Sequence, residues 1–73
     1  MTEQLPEGTI AVFATLGGAT VALVHDRGAE PGQAHTWTCL GCRDRTIFGR
    51  HADPARTDAN DHAGRCRSKP LPV

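Results

Sequence analysis

Aromatic residues are scarce in this 73-residue chain: it has no tyrosine, and Trp37, Phe13 and Phe48 make up 4% of it, within 38% hydrophobic residues overall. The core they allow is thin. Below roughly 70–80 residues a single core seldom contributes more than ~3–5 kcal/mol, so chains of this size lean on disulfides, a metal or a partner chain. That length also excludes a multidomain enzyme. Met1 to Gly8 contains Glu3 and Glu7 but no lysine or arginine, so the basic region that opens a secretory signal is missing and the chain reads as intracellular, in the cytoplasm. Long apolar runs are missing as well. Thr9 to Val24 is uncharged, but as a helix its 16 residues would reach only about 24 Å of the ~30 Å hydrocarbon core, and Gly17-Gly18 interrupts it. This argues against a membrane span. Catalytic signatures are absent too: there is no H-E-x-x-H, no G-x-S-x-G and no phosphate loop. A zinc deaminase needs H-x-E ahead of P-C-x-x-C, whereas His51-Ala-Asp53 follows the cysteines and carries aspartate. The expectation is a protein that is not an enzyme.

What the chain does have is three cysteines, Cys39, Cys42 and Cys66, beside four histidines. An odd count leaves one thiol over in any disulfide scheme, while a metal site uses all three. Charge is balanced overall, with eight basic and eight acidic residues, but unevenly spread. Up to residue 33, Arg27 alone opposes Glu3, Glu7, Asp26 and Glu30; the basic excess, and every cysteine, lies in residues 34–73. An asymmetry of this kind hints at an acidic or nucleic-acid partner, although the excess is modest.

The runs Thr9 to Thr15 and Ala19 to His25 are rich in β-branched residues and flank Leu16-Gly17-Gly18, which predicts a hairpin over residues 9–25. Ile10, Val12 and Ala14 are expected on one face, meeting Val21 and Leu23, with Phe13 and Val24 on the other. Asp26 to Ala34 reads as a loop. Thr36 to Cys39 and Arg45 to Phe48 then suggest a second hairpin turning on the cysteines. A helix follows, with Asp53 as its N-cap and Pro54 in its first position, running to about Cys66. Ala55, Ala59, His62 and Cys66 share one narrow stripe of that helix. The expected fold class is α+β, a small zinc-stabilised ββ-ββα domain. Residues 1–8 form a polar lead, 9–67 a single domain with a zinc-finger-like unit over 35–67, and 68–73 a flexible tail.

The chemistry resides in Cys39-x2-Cys42, nineteen further residues, and His62-x3-Cys66. Two cysteines on a tight turn can aim both sulfurs at one ion, and Gly41 eases that turn. Helix positions four apart stack on one face, so His62 and Cys66 can complete a tetrahedron. Three thiolates and an imidazole suit Zn2+. Weighed against this are Cys66 as a small buried hydrophobe and Cys39-Cys42 as a redox dithiol, a motif that normally sits in a larger βαβ setting. His51 is the rival to His62 as the nitrogen ligand. His35 lies four before Cys39, but in a strand that separation is about 13 Å and rules out a shared ion. His25, ending a strand, reads as a solvated turn residue.

The segment Trp37-Thr-Cys-Leu-Gly-Cys42, followed by Ala59-Asn-Asp-His-Ala-Gly-Arg-Cys-Arg67 and a short proline tail, resembles small zinc-finger-like (Cys-Cys-His-Cys) proteins of actinobacteria. The resemblance spans roughly Trp37 to Pro70 and implies ligation by Cys39, Cys42, His62 and Cys66.

Two binding roles follow. In one, the chain is a protein-interaction module or small accessory regulator that uses the N-terminal hairpin, whose edge also offers a seat for a second copy. In the other, it is a nucleic-acid-binding zinc finger and transcriptional regulator. Arg43, Arg45, Arg50, Arg56 and Arg67 then meet phosphates and Asn60 meets a base edge. Asp58 and Asp61 on the same helix weaken that second reading.

Overall fold

A computed structural model describes residues 5–46 and 48–69. Strands β1 (Thr9–Ala14), β2 (Thr20–His25) and β3 (His35–Cys39) precede one helix, α1 (Ala52–Arg65). The strands form one antiparallel sheet in the order β1-β2-β3. This is the α+β arrangement expected, with the helix packed on one face of the sheet.

The first hairpin closes as the glycine pair demands. Thr15 N–H donates to the Ala19 carbonyl at 2.8 Å, and the Thr15 hydroxyl accepts from Ala19 N–H at 2.9 Å. Gly18 takes a positive φ of 94°, a conformation closed to most side chains. The facing differs from expectation. Val12 pairs with Ala22, while Ala11 meets Leu23 and Phe13 meets Val21, so Ala11 and Phe13 look toward the helix and Ile10 and Val12 look away. Every residue of Thr9-Ile-Ala-Val-Phe-Ala is apolar or small, so no polar side chain marks the solvent face. A register irregularity between Thr9 and Ala11 adds a further shift at the strand's start.

The second hairpin forms only partly as a ladder. β3 joins β2 along its full length, and the chain returns past its other edge through two isolated bridges, Thr38 to Arg45 and His35 to Arg50. Supporting bonds run from Cys39 N–H to the Asp44 carbonyl at 2.8 Å and from Thr46 N–H to the Trp37 carbonyl at 2.9 Å. The expected strand over 45–48 is not continuous: Arg45 makes one bridge, Phe48 lies in an exposed bend, and Ile47 is outside the described residues.

The helix begins two residues earlier than expected. His51 is the N-cap and provides no side-chain capping bond. Asp53 falls instead in the first turn, where its carboxylate faces the positive end of the helix dipole, and Pro54 still lies among the positions whose N–H has no helical acceptor. At the other end, Cys66 N–H closes the last turn on the His62 carbonyl at 2.8 Å.

The core is as thin as the composition implies. Val21, Leu23, Trp37 and Cys39 meet Ala55, Ala59 and Ala63, and the largest fully buried side chains are Leu23, Val21 and Cys39. The alanine stripe lets α1 lie close to the sheet, and that closeness carries His62 and Cys66 to the end of the sheet where the knuckle sits.

Candidate metal centre

Cys39 ends β3, and Cys42 follows on the turn Leu40-Gly41-Cys42-Arg43, closed by Arg43 N–H on the Cys39 carbonyl at 3.0 Å. Arg43 takes a positive φ of 69°, the one non-glycine residue to do so among those described. Curling the chain back at this point brings Cys42 round to face Cys39, and an arginine there bears strain a glycine would not. Gly41 is needed for room: a Cβ there would run into Ser68 Oγ and the Ala19 methyl.

The four expected ligands converge. One donor atom from each of Cys39, Cys42, His62 and Cys66 lies within 4.8 Å of the others. Cys42 Sγ and His62 Nε2 are 3.5 Å apart, matching the ~3.5 Å that a tetrahedral Zn2+ with Zn–S near ~2.3 Å and Zn–N near ~2.0 Å would set between them. The remaining edges need to contract by at most about 1 Å to reach the ~3.8 Å sulfur–sulfur edge of the same tetrahedron. The donors thus fit a metal ion. Cys39 is buried, Cys66 is half-buried and Cys42 is exposed, so the site lies at the surface end of the core.

Groups around the donors hold them in place. His62 is buried, its ring stacked on Trp37 with centroids 4.7 Å apart. Its Nδ1 lies 3.8 Å from Asp44 Oδ2, which puts a carboxylate near the ring nitrogen opposite the ligand atom, outside direct hydrogen-bond distance. Ser68 Oγ lies 2.9 Å from Cys66 Sγ and 3.7 Å from Cys39 Sγ. Ser68 is itself anchored, its carbonyl accepting from the Thr15 hydroxyl at 2.7 Å, and the preceding Cys66 carbonyl accepts from Leu16 N–H at 2.9 Å. Gly17 makes this docking feasible, since a Cβ there would meet the carbonyls of Arg67 and Ser68.

The thiols respond to these neighbours. The Ser68 hydroxyl, joined by the Ser68 N–H, holds Cys66 below the ordinary thiol range by stabilising its anion, against a small opposing effect of burial. The Asp44 N–H pulls Cys42 down, but burial and the neighbouring thiols Cys39 and Cys66 together outweigh it and leave Cys42 raised. The charging cost that the neighbouring thiols impose on Cys42 is one that a cation at the site would relieve.

The other candidates lie apart. His51 is exposed, with its ring against Gly32, and is not among the converging groups. His25 and His35 stack on each other across β2 and β3, centroids 4.9 Å apart. Arg43, Arg45, Arg50, Arg56, Asn60 and Arg67 are all exposed, and Arg50 is engaged by Asp58 at 2.6 Å. Asp44, Trp37 and Ser68 as supports of the site were not read from the sequence. Asp44 stands two residues past Cys42, which is the one signal that pointed to it.

The geometry defines a small domain with a Cys3His site able to hold one metal ion. Comparison with protein-family models, curated proteins and solved structures returns no match to this chain. No helix among the described residues is long and apolar enough to cross a membrane.

Proposed function

We propose that the chain binds one structural Zn2+ through Cys39, Cys42, His62 and Cys66 and acts as a protein-interaction module or small accessory regulator, not as an enzyme. The observation that carries this reading is the convergence of four protein donors within 4.8 Å. Catalytic zinc keeps a position open for water or substrate, and a complete protein set leaves none. Mixed sulfur and nitrogen donors favour zinc over the hard cations.

The interaction half of the proposal rests on the sheet. Ile10 and Val12 are 52% and 53% exposed on the face away from α1, and Leu5 and Leu16, before and after the strand, are exposed as well. An apolar strip of this kind on a small domain marks a contact surface. A photo-crosslinking residue in place of Ile10, in zinc-loaded protein, tests it in native lysate: one dominant crosslinked protein supports the reading, and no adduct above an Arg56 control rejects it.

The nucleic-acid reading is favoured by exposed Arg56 and Asn60 one turn apart on α1. Against it stand the neutral total charge, the Arg50–Asp58 pair and the lack of an exposed aromatic other than Phe48. Binding to duplex and single-stranded DNA across salt separates the roles: no detectable affinity at ~50 mM salt removes this one, and a steep salt slope favours it.

A further inference from the structure

Resting on the interaction reading, we propose that the partner at the hairpin is a second copy of this chain, paired antiparallel along β1 about a two-fold axis at Val12.

The two edges of the sheet differ. β3 is bonded along its outer edge by the return segment at Arg45, Thr46 and Arg50. β1, among the described residues, pairs only with β2. Thr15 N–H points inward, to Ala19, and the ladder alternates from there. Phe13 and Ala11 therefore direct their backbone groups at β2, while Val12 and Ala14 direct theirs outward, where no strand among the described residues receives them. Such an edge is a template for another strand unless charge, proline, a bulge or a covering element blunts it. Thr9 to Ala14 has neither charge nor proline, and its one irregularity, between Thr9 and Ala11, leaves Ala11 to Ala14 in regular register.

The side chains select a second copy. Two-fold pairing at Val12 sets Ile10 opposite the partner copy's Ala14 on the outer face and Phe13 opposite its Ala11 on the inner face. Each large side chain meets a small one, and Val12 meets itself. That is the size complementarity an isologous seam requires, and it holds on both faces of the strand at once. A shift of one residue along the strand would turn the half-exposed Ile10 and Val12 of one copy against the helix face of the other. A charged peptide would find no counter-charge on β1, whose strand is neutral in a chain that is 22% charged.

The seam is short. Five residues, Ile10 to Ala14, at about 3.3 Å each give about 17 Å of edge, and at roughly 10 Å of depth this is on the order of 200 Å², well below the ~800 Å² per partner of standard stable interfaces. The pairing therefore belongs with weak, concentration-dependent dimers.

Sedimentation equilibrium on the full metal-loaded chain from ~10 μM to ~1 mM tests this. The expected mass rises from 7.8 kDa toward twice that value. Val12→Lys should weaken association at least tenfold while metal content and far-UV circular dichroism stay unchanged, and Val12→Thr, which keeps the branched shape, should retain it. Should the lysine variant fail to fold, mixed labelled and unlabelled wild-type copies still decide the matter through intermolecular contacts between Ile10 and Ala14. A monomer throughout, or a dimer that Val12→Lys leaves intact, overturns the proposal. A monomer whose Ile10 position still crosslinks another protein overturns the second copy alone and leaves the interaction reading standing.

Discussion

Removing the metal should unfold the domain, and the structure gives the reason a size. Helix α1 touches the sheet through Ala55, Ala59 and Ala63, three methyl groups worth about 2.5 kcal/mol together at ~0.8 kcal/mol each, and through the His62 ring on Trp37, a ligand that the ion itself holds in place. A structural Zn2+ in a small finger contributes on the order of 10–16 kcal/mol of binding free energy at neutral pH. The ion outweighs the helix's own apolar contacts severalfold, so without it the 14-residue helix lacks the burial to stay docked. Once the helix leaves, Val21, Leu23 and Trp37 face water on a three-stranded sheet with little else to cover them. The expected outcome of titrating a strong chelator is a collapse of amide shift dispersion across strands and helix together. The near-UV signal of Trp37, stacked on His62, should fade in step. Readdition of zinc should restore both. An unchanged amide spectrum after verified metal removal would refute the reasoning, because it would show that alanine packing alone holds the helix.

Other outcomes follow from the same geometry. His62→Ala should weaken metal retention far more than His51→Ala, measured by competition with a colorimetric chelator; equal losses would mean that His62 Nε2 is not a donor. Arg43→Gly relieves a positive φ of 69° and should raise stability of the metal-loaded chain by about 1 kcal/mol in chemical denaturation, whereas a loss would show that the arginine side chain matters more than its backbone. Metal should be lost as pH falls, because each ligand must shed its proton to bind. The Ser68 hydroxyl keeps Cys66 below its unfolded thiol pKa, so the stability this ligand brings is present above the unfolded value and lost as pH falls through the folded one. Ser68→Ala should therefore move acid release of the metal to higher pH; an unshifted or lowered release midpoint would contradict the role given to that hydroxyl.

The ligand set was legible because its chemistry imposes rigid spacings. Two cysteines three apart need a turn, and a histidine and cysteine four apart need a helix, so the sequence carried both the donors and the elements that hold them. The alanine stripe of α1 was legible for the same reason: a 3.6-residue period filled by Ala55, Ala59 and Ala63 has one side to bury. The facing of β1 was not, since past Thr9 the strand has no polar residue and looks the same from either side, and Ile10 and Val12 lie on the face opposite to the one expected. The role of β3 as the third strand of one sheet was hidden as well. Its pairing with β2 is made across the loop from Asp26 to Ala34, and no residue pattern in that loop reports which strand it returns to. Ser68 was read as the start of a loose tail, yet Thr15 and Gly17 hold it over the sulfurs from more than fifty residues away in sequence. Such long-range anchoring leaves no local signature. The helix cap was misjudged by two residues because Asp53 and Pro54 suit the first turn nearly as well as the cap and first position.

The central claim is that one ion, held by Cys39, Cys42, His62 and Cys66, completes a core too small to stand alone. Native mass spectrometry of the folded chain, coupled to elemental analysis, reads that directly. One zinc per 7.8 kDa chain, lost on denaturation together with the folded charge-state envelope, is the predicted result. A compact folded species at the mass of the bare polypeptide, with no stoichiometric metal, would contradict it.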